Sequence, residues 1–397
     1  MGALPGSVLI VGVSTRALAE SASRAGYACV TVDAFGDLDQ KSRAQNVSLS
    51  RDLGRRYSAA AAVAVGRRFP VASAPASAAY VGNLENHPSA VRRLALGRRL
   101  LGNTPATLVR ARDPVAVAEA VRRAGGRVPL TLLPDQTRHA HAGVRWLRKP
   151  RRGGGGSGVK EWTPGAPLRP HELVQERIEG LLASVAFVAD GQRAVLLGMS
   201  KGLAGDPAFG ARGYRYCGSV HPFSADRALL DRMSAIAEAV TEAFGLVGLN
   251  GIDFVLREGE PYVLEINPRY AASMELIERS GRLSVFEAHV AACGGVLPSE
   301  GAAPMPEVLG KAILYARRDV IVGDSGRWLI RDDVRDVPFP GDRIRRGHPI
   351  CTVFAHGADS VTCYGRLVAT ASALEQELGI RPGVAEDGFL KRPFEPH

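Results

Sequence analysis

The chain has 397 residues, 46% of them apolar and 23% charged, with a formal net charge of +10. That length exceeds one ordinary core and predicts roughly two to four domains. No apolar run approaches the roughly 18 residues of a membrane helix, and the five cysteines (Cys29, Cys217, Cys293, Cys351, Cys363) are widely spaced with no CxxC pair, which argues against a disulfide framework or a zinc site.

Of the 50 basic residues 44 are Arg, and they are spread along the chain. A basic tail or an aromatic-interleaved basic stripe is missing, so a nucleic-acid partner is not expected. Positive potential in a cleft suits an anionic small molecule. The opening MGALPGSVLIVGVST has no basic stretch ahead of its apolar run and reads as a β-strand, not a signal peptide. The expectation is a cytoplasmic protein with small-molecule substrates, no membrane, and a homodimer as an allowed assembly.

Residues 7–13, SVLIVGV, form an apolar run ending near Gly12. A helix over 15–25, Gly26 and a second apolar strand over 28–32 ending in Asp33 complete a βαβ unit, which implies a parallel sheet. The turn is not GxGxxG, so a Rossmann-like domain over 1–100 without a dinucleotide site is expected. Asp113, Pro114 and Gly125 predict a helix over 113–125. Shorter alternating segments follow in an α+β pattern to about 270, and 273–293 reads as one helix. Residues 298–307, PSEGAAPMPE, read as a linker, and 308–370 as short strands and turns of a small β-rich C-terminal domain. The expected division is 1–100, 101–297 and 304–397.

The strongest chemical signal is GLNGIDFVLREGEPYVLEINPRY, residues 248–270. Two apolar runs flank Glu258-Gly259-Glu260, a β-hairpin signature. Pairing centred on Gly259 sets Asp253 opposite Glu265. Alternation then collects Asp253, Glu265 and Asn267 on one face and leaves Leu264 and Ile266 on the apolar one. Facing carboxylates repel, and oxygen ligands of this kind suit Mg²⁺ alongside substrate phosphates. Arg269 follows at once, well placed to stabilise phosphoryl or oxyanion charge. In WLRKPRRGGGGSGVKEW, residues 146–162, Lys149 ends a short strand ahead of Gly153, Gly154, Gly155, Gly156, Ser157 and Gly158, a loop able to bring backbone N–H groups onto phosphate oxygens. About 20 residues later, Gln175, Glu176, Arg177 and Ile178 form an extended stretch able to offer backbone groups to an adenine.

In this order, the three elements resemble the ATP-grasp superfamily, over about residues 90–295. The resemblance implies a two-lobed ATP-binding domain. Lys149 and the 153–158 loop would hold phosphates, 175–178 the adenine, and Asp253, Glu265 and Asn267 would hold Mg²⁺, with Mn²⁺ as a substitute. Arg269 would support the transferring phosphate. Lys201, in LLGMSKGLAG, matches a basic position against the phosphates, and Arg212, in GARGYRY, is a further candidate for substrate or phosphate contact. The chain departs from the family in two places. An early Lys ahead of the lobe is replaced in that region by Arg92 and Arg93, and no acidic residue follows the hinge Gly180, which leaves Glu179 or Ser184 for the ribose. The implied activity is ADP-forming ligation of a carboxylate to an amine through an acyl phosphate. A branch linked to one-carbon cofactors suggests glutamate or another amino acid as a substrate, with bicarbonate activation of the biotin-carboxylase type or a non-catalytic nucleotide-binding module as alternatives.

Overall fold

The computed structural model describes residues 6–68, 76–281, 283–299 and 307–380, so most of the linker expected at 298–307 lies outside the described residues. Five parallel strands open the chain: β1 (Ser7–Val11), β2 (Ala28–Asp33), β3 (Gln45–Ser48), β4 (Ser77–Tyr80) and β5 (Arg99–Leu101). They are ordered β3-β2-β1-β4-β5. The order reverses between β1 and β4, and in open parallel sheets the crevice beyond the carboxyl ends of such strands is where ligands bind. The Asp33 carboxylate at the end of β2 is used internally. It accepts from Thr15 Oγ1 at 2.7 Å and from the Gly36 N–H at 3.0 Å.

A small sheet follows, β6 (Thr131–Leu132), β7 (Trp146–Pro150), β8 (Lys160–Trp162) and β9 (Glu172–Glu176), in the order β6-β9-β7-β8. It closes over its own apolar cluster of Leu132, Trp146, Trp162 and Val174. The largest sheet is antiparallel. Its strands are β10 (Leu181–Asp190), β11 (Ala194–Ala204), β12 (Tyr216–His221), β13 (Val247–Arg257), β14 (Glu260–Asn267), β15 (Val308–Tyr315), β17 (Val334–Arg335) and β19 (Pro349–Gly357). They run in the order β14-β13-β10-β11-β12-β15-β19-β17, while β16 (Val320–Ile321) and β18 (Arg343–Ile344) pair as a short ribbon.

The segment expected to form its own β-rich unit thus continues the large sheet through the β12–β15 pair. It is also less β-rich than its pattern suggested. Residues Ser360–Glu377 form a helix, capped by Asp359 and packed on β15 and β19 through Cys363, Tyr364, Leu367 and Leu374. The single helix expected over 273–293 is two, Met274–Arg279 and Val285–Ala292, with Gly281 between them at a φ of +82°.

Helices Pro114–Arg123 and Arg227–Phe244 cover one face of the large sheet. Asp113 caps the first as expected, accepting from the N–H groups of Val115 and Ala116. Helix Val285–Ala292 lies on the other face, and its Phe286 shares a core with Val8, Ile10 and Ala79 of the parallel sheet and Val188 of β10. That shared core holds the carboxyl ends of β1 and β4 beside the large sheet, so crevice and sheet form one cleft.

Candidate active site

The cleft encloses about 1200 Å³ between the small sheet, the large sheet and the ends of β1 and β4. Known small-molecule pockets span roughly 300–1,000 Å³, so there is room for more than one drug-sized ligand.

Its floor is the β13–β14 hairpin. Asp253 faces Glu265, as the sequence predicts, but the route differs. The turn is a two-residue one, with Glu258 at a φ of +53° and Gly259 at +77°, and Arg257 pairs with Glu260. Positive φ at both central residues is the type I′ turn that matches strand twist. Pairs near the turn therefore run one step out of the predicted register, with Phe254 opposite Val263. A bulge at Leu264 restores the step, and Asp253 meets Glu265. The bulge corrects one expectation. Leu264 lines the cleft, while Val263 and Ile266, three apart, both enter the core. Each is worth roughly 2 kcal/mol of burial, which anchors the bulged register.

The carboxylates sit among cations. Arg112 Nη1 donates to Glu265 Oε2 at 3.2 Å and to the Ile266 carbonyl at 3.0 Å. Burial raises the Glu265 carboxyl, but Arg112, Lys149 and Arg269 outweigh it and hold it below the usual range. Burial and the facing Glu265 push the Asp253 carboxyl up, against Arg269 and Asn267. Asn267 Nδ2 donates to Asp253 Oδ2 at 2.8 Å, and its Oδ1 accepts from Arg269 Nη2 at 2.9 Å. Arg269 is anchored from the parallel-sheet side by Glu85 Oε1 at 3.1 Å. Burial works against its charge, yet Glu85 and Asp253 raise it.

The glycine loop lies across this floor. The Gly153 carbonyl accepts from Arg112 Nη2 at 3.1 Å, and the Gly155 carbonyl from the Tyr216 N–H at 3.0 Å. Gly156 has a φ of +68°, and a Cβ there would lie 1.7 Å from the Tyr214 carbonyl oxygen. Only glycine allows that approach. Lys149 Nζ donates to Gln175 Oε1 at 2.9 Å, and Gln175 Nε2 to Thr131 Oγ1 at 3.2 Å. Burial lowers the Lys149 amine, with Glu265 opposing. The side chain of Gln175 thus fixes the lysine, and residues 175 to 178 border the cleft.

The cleft brings together Lys149, Gly153 to Ser157, Gln175 to Ile178, Ser184, Lys201, Asp253, Glu265, Asn267 and Arg269. Gly158 and Arg212 are not among the lining residues, and Arg212 is exposed. Ser184 is paired with Asp253 across β10 and β13, level with the carboxylates and four residues past the hinge glycine. Arg92 and Arg93 are exposed on the helix Pro88–Leu94. The basic side chain that reaches Glu265 from ahead of the lobe is Arg112, which the sequence reading missed. Its only signal was its place beside the helix cap Asp113.

For a metal, the donors are two facing carboxylates and one amide. Among the described residues no group of three or more His, Cys, Asp or Glu is arranged for an ion. A two-carboxylate set fits Mg²⁺, which keeps waters and shares phosphates. As placed, Asn267 turns its oxygen to Arg269, so Asp253 and Glu265 are the stronger part of the set.

Residues 111–273 match the profile of the ATP-grasp domain family. That stretch of the chain is similar to the ATP-grasp domain. The uncharacterised protein MJ0776 of Methanocaldococcus jannaschii is 31% identical over 142 residues, 35% of this chain and 33% of that protein. The chain spans a third or less of the length of the curated relatives it matches. Among solved structures, N5-carboxyaminoimidazole ribonucleotide synthetase from Thermus thermophilus aligns at a TM-score of 0.64 and 17% identity, covering 94% of this chain and 98% of that one. An L-amino acid ligase from Bacillus licheniformis aligns at 0.66 and 13%, also over 94% and 98%. At such identities the likeness is one of fold: a parallel-sheet domain joined to the antiparallel sheets of an ATP-grasp core.

Proposed function

We propose that the protein is an ADP-forming ligase that activates a carboxylate with ATP and joins it to an amine. The observation that carries this reading is the Asp253–Glu265 pair, facing across a bulged hairpin with Lys149, Arg112 and Arg269 around it. ATP would lie with its adenine against the backbone of 175–178 and its phosphates between the glycine loop and Lys149. Asp253 and Glu265, with Asn267, would hold Mg²⁺ or Mn²⁺, which supplies neutralisation of phosphate charge when bound. The substrate carboxylate oxygen attacks the γ-phosphorus and ADP leaves. The amine nitrogen then attacks the acyl carbon, phosphate leaves, and the nitrogen loses a proton. Arg269 is held in its charged form beside this path and stabilises the developing negative charge. Lys149 and the glycine N–H groups orient the phosphates. Positioning and electrostatics suffice for such chemistry. A place in one-carbon cofactor assembly rests on the sequence resemblance.

ADP release over a panel of amino acids and amines, with mass spectrometry of the products, tests the reading. Turnover should require Mg²⁺ and fall roughly 100-fold or more in Glu265→Ala, about 2.7 kcal/mol in barrier. Unchanged turnover in that variant would sink the assignment.

A further inference from the structure

We propose that the end of the cleft beyond Arg269 is an amino-acid subsite, in which Asp336 receives the substrate's ammonium group and Lys311 an oxygen of its carboxylate. This rests on the ligase reading and names the class of one substrate.

The wall of that end is the β12, β15 and β19 face of the large sheet. Lys311 pairs with Ser219, and Ile313 with Thr352, and all four line the cleft. Asp336, one residue past β17, joins them. The crevice at the switch point of the parallel sheet adjoins them, and its Ser14, Arg16 and Gly82 line the same space.

Asp336 has a φ of +55°, which side chains other than Asn, Asp and Gly seldom adopt. Strained residues of this kind collect at functional sites. Asp39, from the parallel-sheet part of the chain, holds it there by accepting from the N–H groups of Asp336 and Val337, each at 3.0 Å. The Asp336 carboxylate accepts from Arg16 at 2.8 and 3.3 Å and from Thr352 Oγ1. Of roughly four acceptor positions on a carboxylate, one is left for a ligand. Its side chain is 23% exposed.

Arg16 is not available to a ligand. All five of its N–H groups are committed, to Asp336, Glu20 and Glu275. Its part is to fix Asp336. Lys311 Nζ donates to the Ala272 carbonyl at 3.0 Å and to Glu275 Oε2 at 2.6 Å, which leaves one of its three N–H groups. Ala272 belongs to the lining segment that begins at Arg269. Asp336 thus keeps one acceptor position and Lys311 one donor on the same wall, an anionic and a cationic group that suit a ligand carrying both signs. Burial raises the Asp336 carboxyl, but Arg16 outweighs that and keeps it below the usual range, so it acts by contact and not as a proton acceptor.

The test is calorimetric. The full chain, loaded with Mg²⁺ and a non-hydrolysable ATP analogue, is titrated with the common amino acids and with their N-acetyl and deamino counterparts. At least one amino acid should bind, and its N-acetyl and deamino forms should bind roughly tenfold or more weakly, the worth of one charge-assisted hydrogen bond. Asp336→Asn, whose new side chain also tolerates left-handed φ, should lose a similar factor for the amino acid and none for the ATP analogue. Equal binding of the deamino acids, an unaffected Asp336→Asn, or no binding by any amino acid would each overturn the proposal. The comparison on the wild-type chain decides it even if that variant misfolds. Failure of the ATP analogue itself to bind would instead overturn the ligase reading.

Discussion

Replacing Arg112 by Leu removes the guanidinium that bridges Glu265, the Ile266 carbonyl, the Gly153 carbonyl and Asn86 Oδ1, with contacts of 3.0 to 3.2 Å. Stranding one member of a fully buried ion pair costs about 3–5 kcal/mol. Here the Arg112 side chain is 13% exposed and that of Glu265 29%, so solvent screening trims the expected loss to about 2 kcal/mol. The loss has a specific cause: Glu265 keeps its charge beside Asp253 with one cation fewer. Glu265→Gln removes that repulsion, so the double variant should recover part of what Arg112→Leu loses. Urea denaturation of the wild type, both single variants and the double, without Mg²⁺ or nucleotide, closes the cycle. A coupling of about 1 kcal/mol or more is expected. Losses that add to within about 0.5 kcal/mol would show that Arg112 and Glu265 act independently and would refute the electrostatic account of the cleft.

Gly156→Ala forces a left-handed alanine, which costs about 1–2 kcal/mol, and drives its Cβ into the Tyr214 carbonyl. MgATP affinity should fall at least roughly tenfold with the circular dichroism spectrum unchanged, whereas Gly154→Ala, which meets nothing within 4 Å, should bind as wild type. The bulge at Leu264 makes an inverted pair of stability effects. Val263→Ala should cost about 2 kcal/mol and Leu264→Ala less than about 1 kcal/mol, measured by denaturation, while only the second changes nucleotide affinity. His289 is buried, with Nδ1 accepting from the Leu249 N–H at 2.9 Å and Nε2 3.3 Å from the Leu101 carbonyl. Burial pulls it down to about 4, below the roughly 6.5 of an unfolded chain. Its contribution is therefore complete above pH ~6.5 and is lost as pH falls towards 4, by up to about 3 kcal/mol. His289→Gln should flatten that limb of the stability profile.

The hairpin shows how much of the site was legible in the sequence and where legibility stopped. Pairing about Gly259 predicts Asp253 opposite Glu265, and they are opposite. That register follows from a turn centred on Gly259 and straight strands. The real turn puts Glu258 in the left-handed region as well, and the bulge cancels the resulting slip. Neither feature has a periodic signature, so alternation alone puts Leu264 on the apolar face, whereas it lines the cleft. The parallel opening sheet and the helix capped by Asp113 follow from local patterns and are present. Residues 360–377 open with β-branched and small side chains, which hid a helix whose stability comes from packing on β15 and β19. Arg112 is one arginine among 44, and only the tertiary fold brings it to Glu265. Asp336 depends on contacts from Arg16 and Asp39, roughly 300 residues away, and no local pattern announces them.

The central claim is that the Asp253–Glu265 pair makes a magnesium-dependent ATP site. Calorimetric titration of ATP into the wild type and Glu265→Gln, with and without Mg²⁺, tests it most directly. The account predicts that Mg²⁺ tightens ATP binding to the wild type at least roughly tenfold, about 1.4 kcal/mol, and that Glu265→Gln abolishes this gain. ATP binding indifferent to Mg²⁺, or a gain preserved in the variant, would contradict it.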